Sequence, residues 1–151
     1  MSGRVLTVAV ELLPHGSEFG LPAYQTAGSA GCDLHAAIEH PLTLAPGERE
    51  LVPCGLRMAL PPGWVGDIRP RSGLALRHGV TILNAPGTID SDYRGELKVL
   101  LANHGDAPFE VRRGERIAQL VVLPVGRIEW QETGALDATK RSAGGFGSTG
   151  R

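Results

Sequence analysis

The sequence is poor in aromatic residues, in cysteine and in net charge. Phe, Trp and Tyr together make up 5% of the 151 residues, so a buried core has to be built from aliphatic side chains. Two cysteines, Cys32 and Cys54, are too few for the disulfide framework of a small secreted domain, and we expect buried free thiols. The formal net charge of −1 provides no basic field, which argues against a protein dedicated to nucleic acid or to an anionic membrane.

Long apolar runs and common catalytic fingerprints are also missing. No stretch approaches the roughly 18 apolar residues of a membrane span. The N-terminal apolar run is interrupted by Glu11 and Pro14 and has no signal-peptide cleavage site, so we expect a cytoplasmic protein. The histidines lack zinc-ligand spacing, and the sequence contains no Walker A loop, no nucleophile elbow and no dinucleotide-binding glycine fingerprint.

Glycine and proline, in contrast, are abundant and spread along the chain. The 21 glycines and 11 prolines divide it into short segments, which is typical of β-sandwiches and jelly rolls. The pattern predicts strands at 5–13, 32–37, 49–60, 64–70, 79–84, 96–103, 109–114 and 116–125. Segment 71–79 instead predicts one short helix, with Ser72 as N-cap and Gly79 as the stop. We therefore expect an all-β domain over residues 1–133, followed by a polar, glycine-rich and flexible C-terminal tail over 134–151.

The segment "NAPGTIDSDYRGELKV" (84–99) predicts a β-hairpin with a pocket at its mouth, and 105–116 predicts another hairpin region. Asp90 follows Ile89 and is the candidate general base, because a carboxylate away from bulk water can hold and orient a water nucleophile. Asp92 is expected to be a turn residue. Tyr93 offers a flat face and a hydroxyl. A second turn residue at position 90 and a packed aromatic at 93 are the alternatives.

Polar groups suited to an anion occur in three further segments. In "PRSGLA" (70–75), Arg71 supplies a cation, Ser72 a hydroxyl and Gly73 an unobstructed N–H at the start of a helical turn. Gln119 interrupts an apolar strand, and a buried amide needs partners, for which a phosphate is one candidate. Asp33 is either an outer-sphere metal partner or an ordinary strand-end acceptor.

Taken together and in order, five segments resemble the sequence motifs of the trimeric dUTP pyrophosphatases (dUTPases). They are "AGCDL", "PRSGLA", "GTIDSDYRGELKV", "GERIAQLVV" and "RSAGGFGSTG", and the resemblance extends from residue 29 onward. It implies a jelly-roll subunit of the dUTPase-like β-clip type and a homotrimer in which each active site combines segments of three chains. It also implies hydrolysis of dUTP to dUMP and pyrophosphate, which lowers dUTP and supplies dUMP for thymidylate synthesis. The tail over 134–151, which contains motif five, would be a flexible C-terminal lid that belongs to the same functional unit.

The resemblance assigns a role to each motif. Asp90 would activate the water that attacks the α-phosphorus, and Tyr93 would pack on the deoxyribose and exclude a ribose 2′-hydroxyl. Mg²⁺ would be chelated by the triphosphate, with Asp33 reaching it only through water. The substrate-binding residues implied for the base are Asn84, Gly87, Thr88, Ile89 and Lys98; those for the phosphates are Arg71, Ser72, Gly73 and Gln119; those from the tail are Arg141, Phe146, Gly147, Ser148 and Thr149.

One position departs from the family pattern, and two other functions compete. The family usually has glycine after the arginine of motif five, whereas this chain has Ser142; a positive φ there would cost a serine about 1–2 kcal/mol. A dCTP deaminase, or a bifunctional deaminase and dUTPase, shares the fold but requires a catalytic glutamate near the pocket. A non-catalytic β module of the same fold would need none of Ser72, Asp90, Gln119, Arg141 and Phe146.

Overall fold

The computed structural model describes residues 5–144 and consists mainly of short antiparallel strands. These strands are β1 (Ala9–Leu12), β2 (Cys32–His35), β3 (Leu42–Leu44), β4 (Arg49–Pro53), β5 (Leu56–Ala59), β6 (Trp64–Arg69), β7 (Val80–Ile82), β8 (Gly87–Ile89), β9 (Lys98–Asn103), β10 (Phe109–Val111) and β11 (Arg116–Pro124). One α-helix, α1, spans Ser72–His78, and a 3-10 turn spans Ser17–Phe19. The predicted all-β architecture with one short helix is confirmed.

The strands form two larger sheets and two ribbons around an aliphatic core. One sheet has the order β2-β11-β6-β8 and the other β4-β9-β7, while β1 pairs with β5 and β3 with β10. The largest fully buried side chains are Leu34, Leu44, Val52, Val80, Leu97, Val99, Leu101, Asn103, Val111 and Ile117. Phe109 is the one aromatic residue buried in the core of the described residues. The predicted aliphatic core is therefore confirmed, and both cysteines are free, with Cys54 buried and Cys32 partly buried.

Both predicted hairpins are wrong in their pairing. Strand β8 pairs with β6, whereas β9 pairs with β4 and β7, so the two arms of segment 84–99 belong to different sheets. The second arm is drawn to the other sheet because Leu97 donates its N–H to the carbonyl of Leu56, and Cys54 donates to the carbonyl of Leu97. In the same way β10 pairs with β3 and not with β11. Such pairings depend on contacts far apart in the sequence, which turn signals do not encode.

The helix begins one residue away from the predicted position. Arg71 is the N-cap, with extended backbone and no side-chain capping bond, so Ser72 is the first helical residue and its predicted capping role is wrong. Gly79 ends the helix as predicted: its φ of 66° is left-handed, and its N–H bonds the carbonyls of Leu74 and Ala75. The amides of Ser72 and Gly73 precede the first main-chain bonds of the helix, which run from the Leu74 and Ala75 N–H groups to the Arg71 carbonyl. Neither amide has a partner within residues 5–144, so both can serve a ligand.

Two other differences concern strand ends. The predicted strand 49–60 is divided into β4 and β5 at Gly55, whose φ of 69° requires glycine. After β11, residues 125–144 contain no helix or strand, and several of their apolar side chains are exposed: Val125, Ile128, Trp130 and Leu136. Within the described part of the chain, no helix has the length and apolar character needed to cross a bilayer.

Candidate active site

A polar pocket of about 280 Å³ opens where β2, β11 and the start of α1 meet. Its lining comprises Gln25, Ser29, Ala30, Gly31, Asp33, Arg71, Ser72, Gly73, Arg116 and Gln119. All four residues predicted to bind phosphate from motifs two and four are therefore brought together with Asp33. We call this the anion pocket.

The anion pocket is organised by a carboxylate between two guanidinium groups. Oδ1 of Asp33 lies 3.3 Å from Nε of Arg71, and Oδ2 lies 3.1 Å from Nη1 of Arg116. Arg71 also donates from Nη1 to the carbonyl of Arg116 at 2.9 Å. Asp33 is buried, with 7% of its surface exposed, whereas both arginines reach the solvent. The carboxylate thus fixes two cations at the pocket wall, where they attract and orient an anion.

On the other side of the pocket, Gln119 of motif four connects the strand of Asp33 with the segment that precedes α1. It is the cross-strand partner of Asp33, and its Nε2 donates to the carbonyl of Pro70 at 3.0 Å, immediately before Arg71. A Cβ atom at Gly31 would lie 2.7 Å from Oε1 of Gln119, so a larger residue at position 31 would displace the amide from this arrangement. The amide therefore has a protein partner already and holds the strand that precedes α1.

Sequence reasoning missed Arg116, which lines the anion pocket, and His35, which is its cross-strand partner outside the lining. Arg116 belongs to the quoted segment "GERIAQLVV", and its charge within an otherwise apolar strand was the available signal. His35 faces Arg116 across the strands and stacks on Phe19 with 5.6 Å between ring centroids. Burial lowers the pKa of His35; the Asp33 carboxylate opposes this and the two guanidiniums add to it. A neutral His35 leaves the pocket's positive charge to the arginines.

Asp90 lies in a different pocket, of about 560 Å³. Its lining comprises Pro62, Gly63, Trp64, Val65, Thr88, Asp90, Ser91, Asp92, Val125, Gly126 and Arg127. The carbonyl of Asp90 accepts the N–H of Tyr93 at 3.1 Å, which closes a tight turn. The side chain of Asp90 is exposed, so residues 5–144 of a single chain do not provide the expected shielding from bulk water.

The residues predicted to contact the base and sugar are spread over the segments around this turn. Gly87 is buried in β8 opposite Ile68, and Ile89 is partly buried opposite Gly66. Exposed side chains belong to Asn84, Thr88, Tyr93 and Lys98. None of these residues lines the anion pocket, so one chain contributes two separate groups of predicted site residues.

The described part of motif five forms a turn. Gly144 donates its N–H to the carbonyl of Arg141 at 2.8 Å, and Nε of Arg141 donates to the carbonyl of Gly144 at 2.9 Å. Ser142 has a φ of 42°, the one positive φ at a non-glycine position in residues 5–144. The condition for its expected cost of about 1–2 kcal/mol is therefore met. Phe146, Gly147, Ser148 and Thr149 lie outside the described residues.

Comparison with known proteins agrees with the resemblance inferred from the motifs. The dUTPase family model matches residues 17–150. A deoxyuridine 5'-triphosphate nucleotidohydrolase of Methylocella silvestris is 63% identical over 147 residues, which cover 96% of this chain and 92% of the relative.

Solved structures of phage dUTPases share the fold. The Staphylococcus bacteriophage 80alpha dUTPase with dUPNHPP is 25% identical with a TM-score of 0.86, covering 97% of this chain and all of the other. A mutant dUTPase of Staphylococcus aureus phage phi11, described with a structural Mg(II) ion, is 24% identical with a TM-score of 0.75, covering 86% and 98% of the two chains. The predicted jelly-roll fold is confirmed, and the chain belongs to the dUTPase family.

Proposed function

We propose that this chain hydrolyses dUTP to dUMP and pyrophosphate, and so lowers dUTP and supplies dUMP for thymidylate synthesis in the cytoplasm. The observation that carries the proposal is the anion pocket. In this dUTPase-family chain, two arginines fixed by Asp33 share one pocket with the free amides at the start of α1 and with Gln119. Such a set of donors matches the oxygen-rich chain of a nucleoside triphosphate.

The anion pocket binds the phosphate chain through charge and through main-chain donors. Arg71 and Arg116 are held in place before the nucleotide arrives, so little ordering is needed on binding. The N–H groups of Ser72 and Gly73 and the Ser72 hydroxyl add donors that point from the first turn of α1. Phosphoryl transfer depends mainly on such positioning and charge stabilisation.

The residues of the pocket fit a Mg²⁺ ion that arrives with the triphosphate. Among residues 5–144 no group of three or more His, Cys, Asp or Glu side chains is placed to hold a metal. The oxygens of Asp33 each face one guanidinium, which leaves lone pairs for a water molecule of a hydrated ion and suits an outer-shell contact. When bound, Mg²⁺ neutralises charge on the phosphates and helps to orient them.

Asp90 acts as the general base for the attacking water, and Tyr93 packs on the deoxyribose. The tight turn that joins the Asp90 carbonyl to the Tyr93 N–H holds the two residues in a fixed relation. The water attacks the α-phosphorus in line and transfers a proton to Asp90, while pyrophosphate leaves towards the arginines. The base is read by Asn84, by the main chain of Gly87, Thr88 and Ile89, and by the main chain around Lys98.

A homotrimer with shared sites accounts for the separation of the two residue groups. Asp90 and the anion pocket lie apart in one chain, and residues 5–144 do not cover the exposed apolar side chains of 125–136. Assembly places the turn of one chain near the anion pocket of another and shields Asp90 from bulk water. The lid of residues 134–151 then closes over the nucleotide, with Arg141 near the γ-phosphate, Phe146 on uracil, and Gly147, Ser148 and Thr149 along the phosphates.

The contacts of Glu96 argue against a deaminase. Glu96 is the glutamate nearest to Asp90 in motif three, but its carboxylate accepts the N–H of Gly55 at 2.9 Å and lies 2.6 Å from Nε2 of His15. A carboxylate engaged in this way is not free to serve as the proton carrier that cytosine deamination needs. A non-catalytic module is disfavoured because the anion pocket retains its full set of charged and polar groups.

The test is a pyrophosphate-release assay across dUTP, UTP, dTTP and dCTP with Mg²⁺ present. We expect release from dUTP and little from the other three nucleotides. Ammonia release from dCTP would establish the deaminase instead. Nucleotide binding without turnover by the wild-type chain would establish the non-catalytic module.

A further inference from the structure

Tyr93 is held by the main chain of its own loop and not only by packing. Its hydroxyl donates to the carbonyl of Glu96 at 3.0 Å. Its ring lies over Gly95, where an added Cβ would overlap the hydroxyl and come within 2.5 Å of Cζ. Gly95 does not have a positive φ, so a side chain there would conflict with the position of the Tyr93 ring and not with the backbone conformation. One face of the ring is thus fixed against the loop, while 43% of the residue remains exposed.

The position of the Tyr93 ring therefore depends on where the Glu96 carbonyl is held. The side chain of Glu96 is largely buried. Its carboxylate anchors the residue to the Gly55 N–H, in the turn between β4 and β5, and to the ring of His15. On the main chain, the next residue, Leu97, is fully buried and bonds Leu56 and Cys54.

The turn between β4 and β5 that contains Gly55 has little room to follow Glu96, because Gly55 is packed against Gly16. A Cβ on Gly16 would lie 2.5 Å from the Cα of Gly55, and one on Gly55 would overlap the Cα of Gly16. The N–H of Gly55 is therefore a rigid donor in a buried turn, and His15 is the neighbour of Gly16 in the same contact. The Gly55 N–H holds the Glu96 carboxylate in place, and this helps to fix the Glu96 carbonyl that accepts the Tyr93 hydroxyl.

We infer that Glu96 is a positioning residue that sets the discrimination between 2′-deoxy and 2′-hydroxy nucleotides through the Tyr93 hydroxyl, an inference that rests on the proposed dUTP hydrolysis. A ring that packs on the sugar excludes an extra hydroxyl only if it cannot retreat. Without the Glu96 side-chain anchor, only the bond from the Leu97 N–H to Leu56 holds the peptide group that carries the acceptor carbonyl. The group then has more freedom, the hydroxyl bond of Tyr93 weakens, and the ring can yield to a ribose.

The experiment measures kcat/KM for dUTP and for UTP by pyrophosphate release, in the full-length protein with Mg²⁺. Glu96→Ala is expected to lower the ratio of dUTP to UTP by about tenfold or more, because small misplacements at a reacting site have large effects. Glu96→Gln keeps an oxygen for the Gly55 N–H and is expected to keep the ratio within about threefold of wild type. Glu110→Gln, which removes the same charge from an exposed position on β10, is the matched control.

A double-mutant cycle separates positioning from general loss of structure. Tyr93→Phe removes only the hydroxyl, and it is expected to lower the ratio as Glu96→Ala does. If Glu96 acts through that hydroxyl, the double variant discriminates no worse than Tyr93→Phe alone. Additive losses of discrimination, or an unchanged ratio in a folded Glu96→Ala protein, would overturn the inference.

Three outcomes are distinguished by these measurements. If Glu96→Ala does not fold, Tyr93→Phe is the deciding variant, since it removes the hydroxyl and keeps every bond between main-chain groups of the loop. An unchanged ratio of kcat/KM for dUTP to that for UTP in Tyr93→Phe overturns the inference. A wild-type protein that releases no pyrophosphate from dUTP overturns the proposed function and the inference together. A wild-type protein that discriminates normally, beside variants that discriminate equally well, overturns the inference alone.

Discussion

Asp90→Asn tests the proposed general base, and the structure makes it a clean substitution. The side chain of Asp90 is exposed and takes part in none of the hydrogen bonds or ion pairs found within residues 5–144, while its main-chain bond to Tyr93 survives the change. A surface substitution of this kind alters stability by no more than about 0.5 kcal/mol. For a chain of 151 residues this corresponds to a change in Tm of about 2 °C or less.

Turnover should respond very differently. Removal of a general base lowers kcat by about 10²–10⁴-fold, which corresponds to roughly 3–5 kcal/mol of transition-state stabilisation. Affinity for a non-hydrolysable dUTP analogue should stay near that of wild type, because asparagine has the same size and the proposed site of the phosphates is the anion pocket, which does not include Asp90. The assay is pyrophosphate release at saturating dUTP with Mg²⁺, together with equilibrium binding and thermal unfolding.

Asp92→Asn is the matched control, because Asp92 is exposed and lines the same pocket two residues away. It removes the same charge from the same surface and should leave turnover nearly unchanged. Turnover within about threefold of wild type in Asp90→Asn would refute the role of Asp90. An equal loss in both variants would show that the local negative charge matters and not a base at position 90.

Three further predictions follow from the pocket, the tail and the thiols. Arg116→Ala should raise KM for dUTP by about tenfold, since a charge-assisted bond contributes about 1.5–3 kcal/mol and this side chain is partly exposed. Steady-state kinetics measures the change, with Arg112→Ala, at an exposed position, as the control; equal KM values in the two variants would contradict the prediction. Ser142→Gly removes the strain of a φ of 42° and should raise kcat/KM a few-fold, which corresponds to about 1 kcal/mol. An unchanged or lower kcat/KM would mean that the turn of residues 141–144 is not part of the lid's closed state. Burial and, to a lesser extent, the charge of Glu96 raise the pKa of Cys54 to about 12, so its thiol stays protonated at pH 8 and should resist a thiol reagent until the protein is unfolded. Burial also raises the pKa of Cys32, but Cys32 is more exposed and should react first in the native protein. Rapid labelling of Cys54 in the native protein would refute its position as a buried thiol.

Features that depend on neighbouring residues could be predicted from the sequence. Gly79 ends α1 because a left-handed residue closes the last turn, and that preference is a property of glycine itself. Most strands were predicted because apolar alternation and turn residues mark them locally. The strand β3 was missed, although β7 and β10 are equally short and were predicted, and β8 was predicted only as an arm of the hairpin at 84–99.

The candidate site was predicted in its residue types but not in its contacts. The motifs named Asp33, Arg71 and Gln119, yet the bonds between them, and the participation of Arg116, depend on the register of β2 against β11. The same limit applies to Glu96, whose partners Gly55 and His15 are 41 and 81 residues away in the chain.

The sequence by itself determined that this is an all-β chain with an aliphatic core, one short helix and the ordered motifs of the dUTPase family, because these follow from composition, local conformational preference and residue chemistry. The tertiary structure decided which strands pair, that the two arms around Asp90 join different sheets, and that the anion pocket and Asp90 lie in separate pockets of one chain. These outcomes depend on hydrogen bonds and packing between distant segments, which compete for the same strands and are resolved only when the whole core assembles.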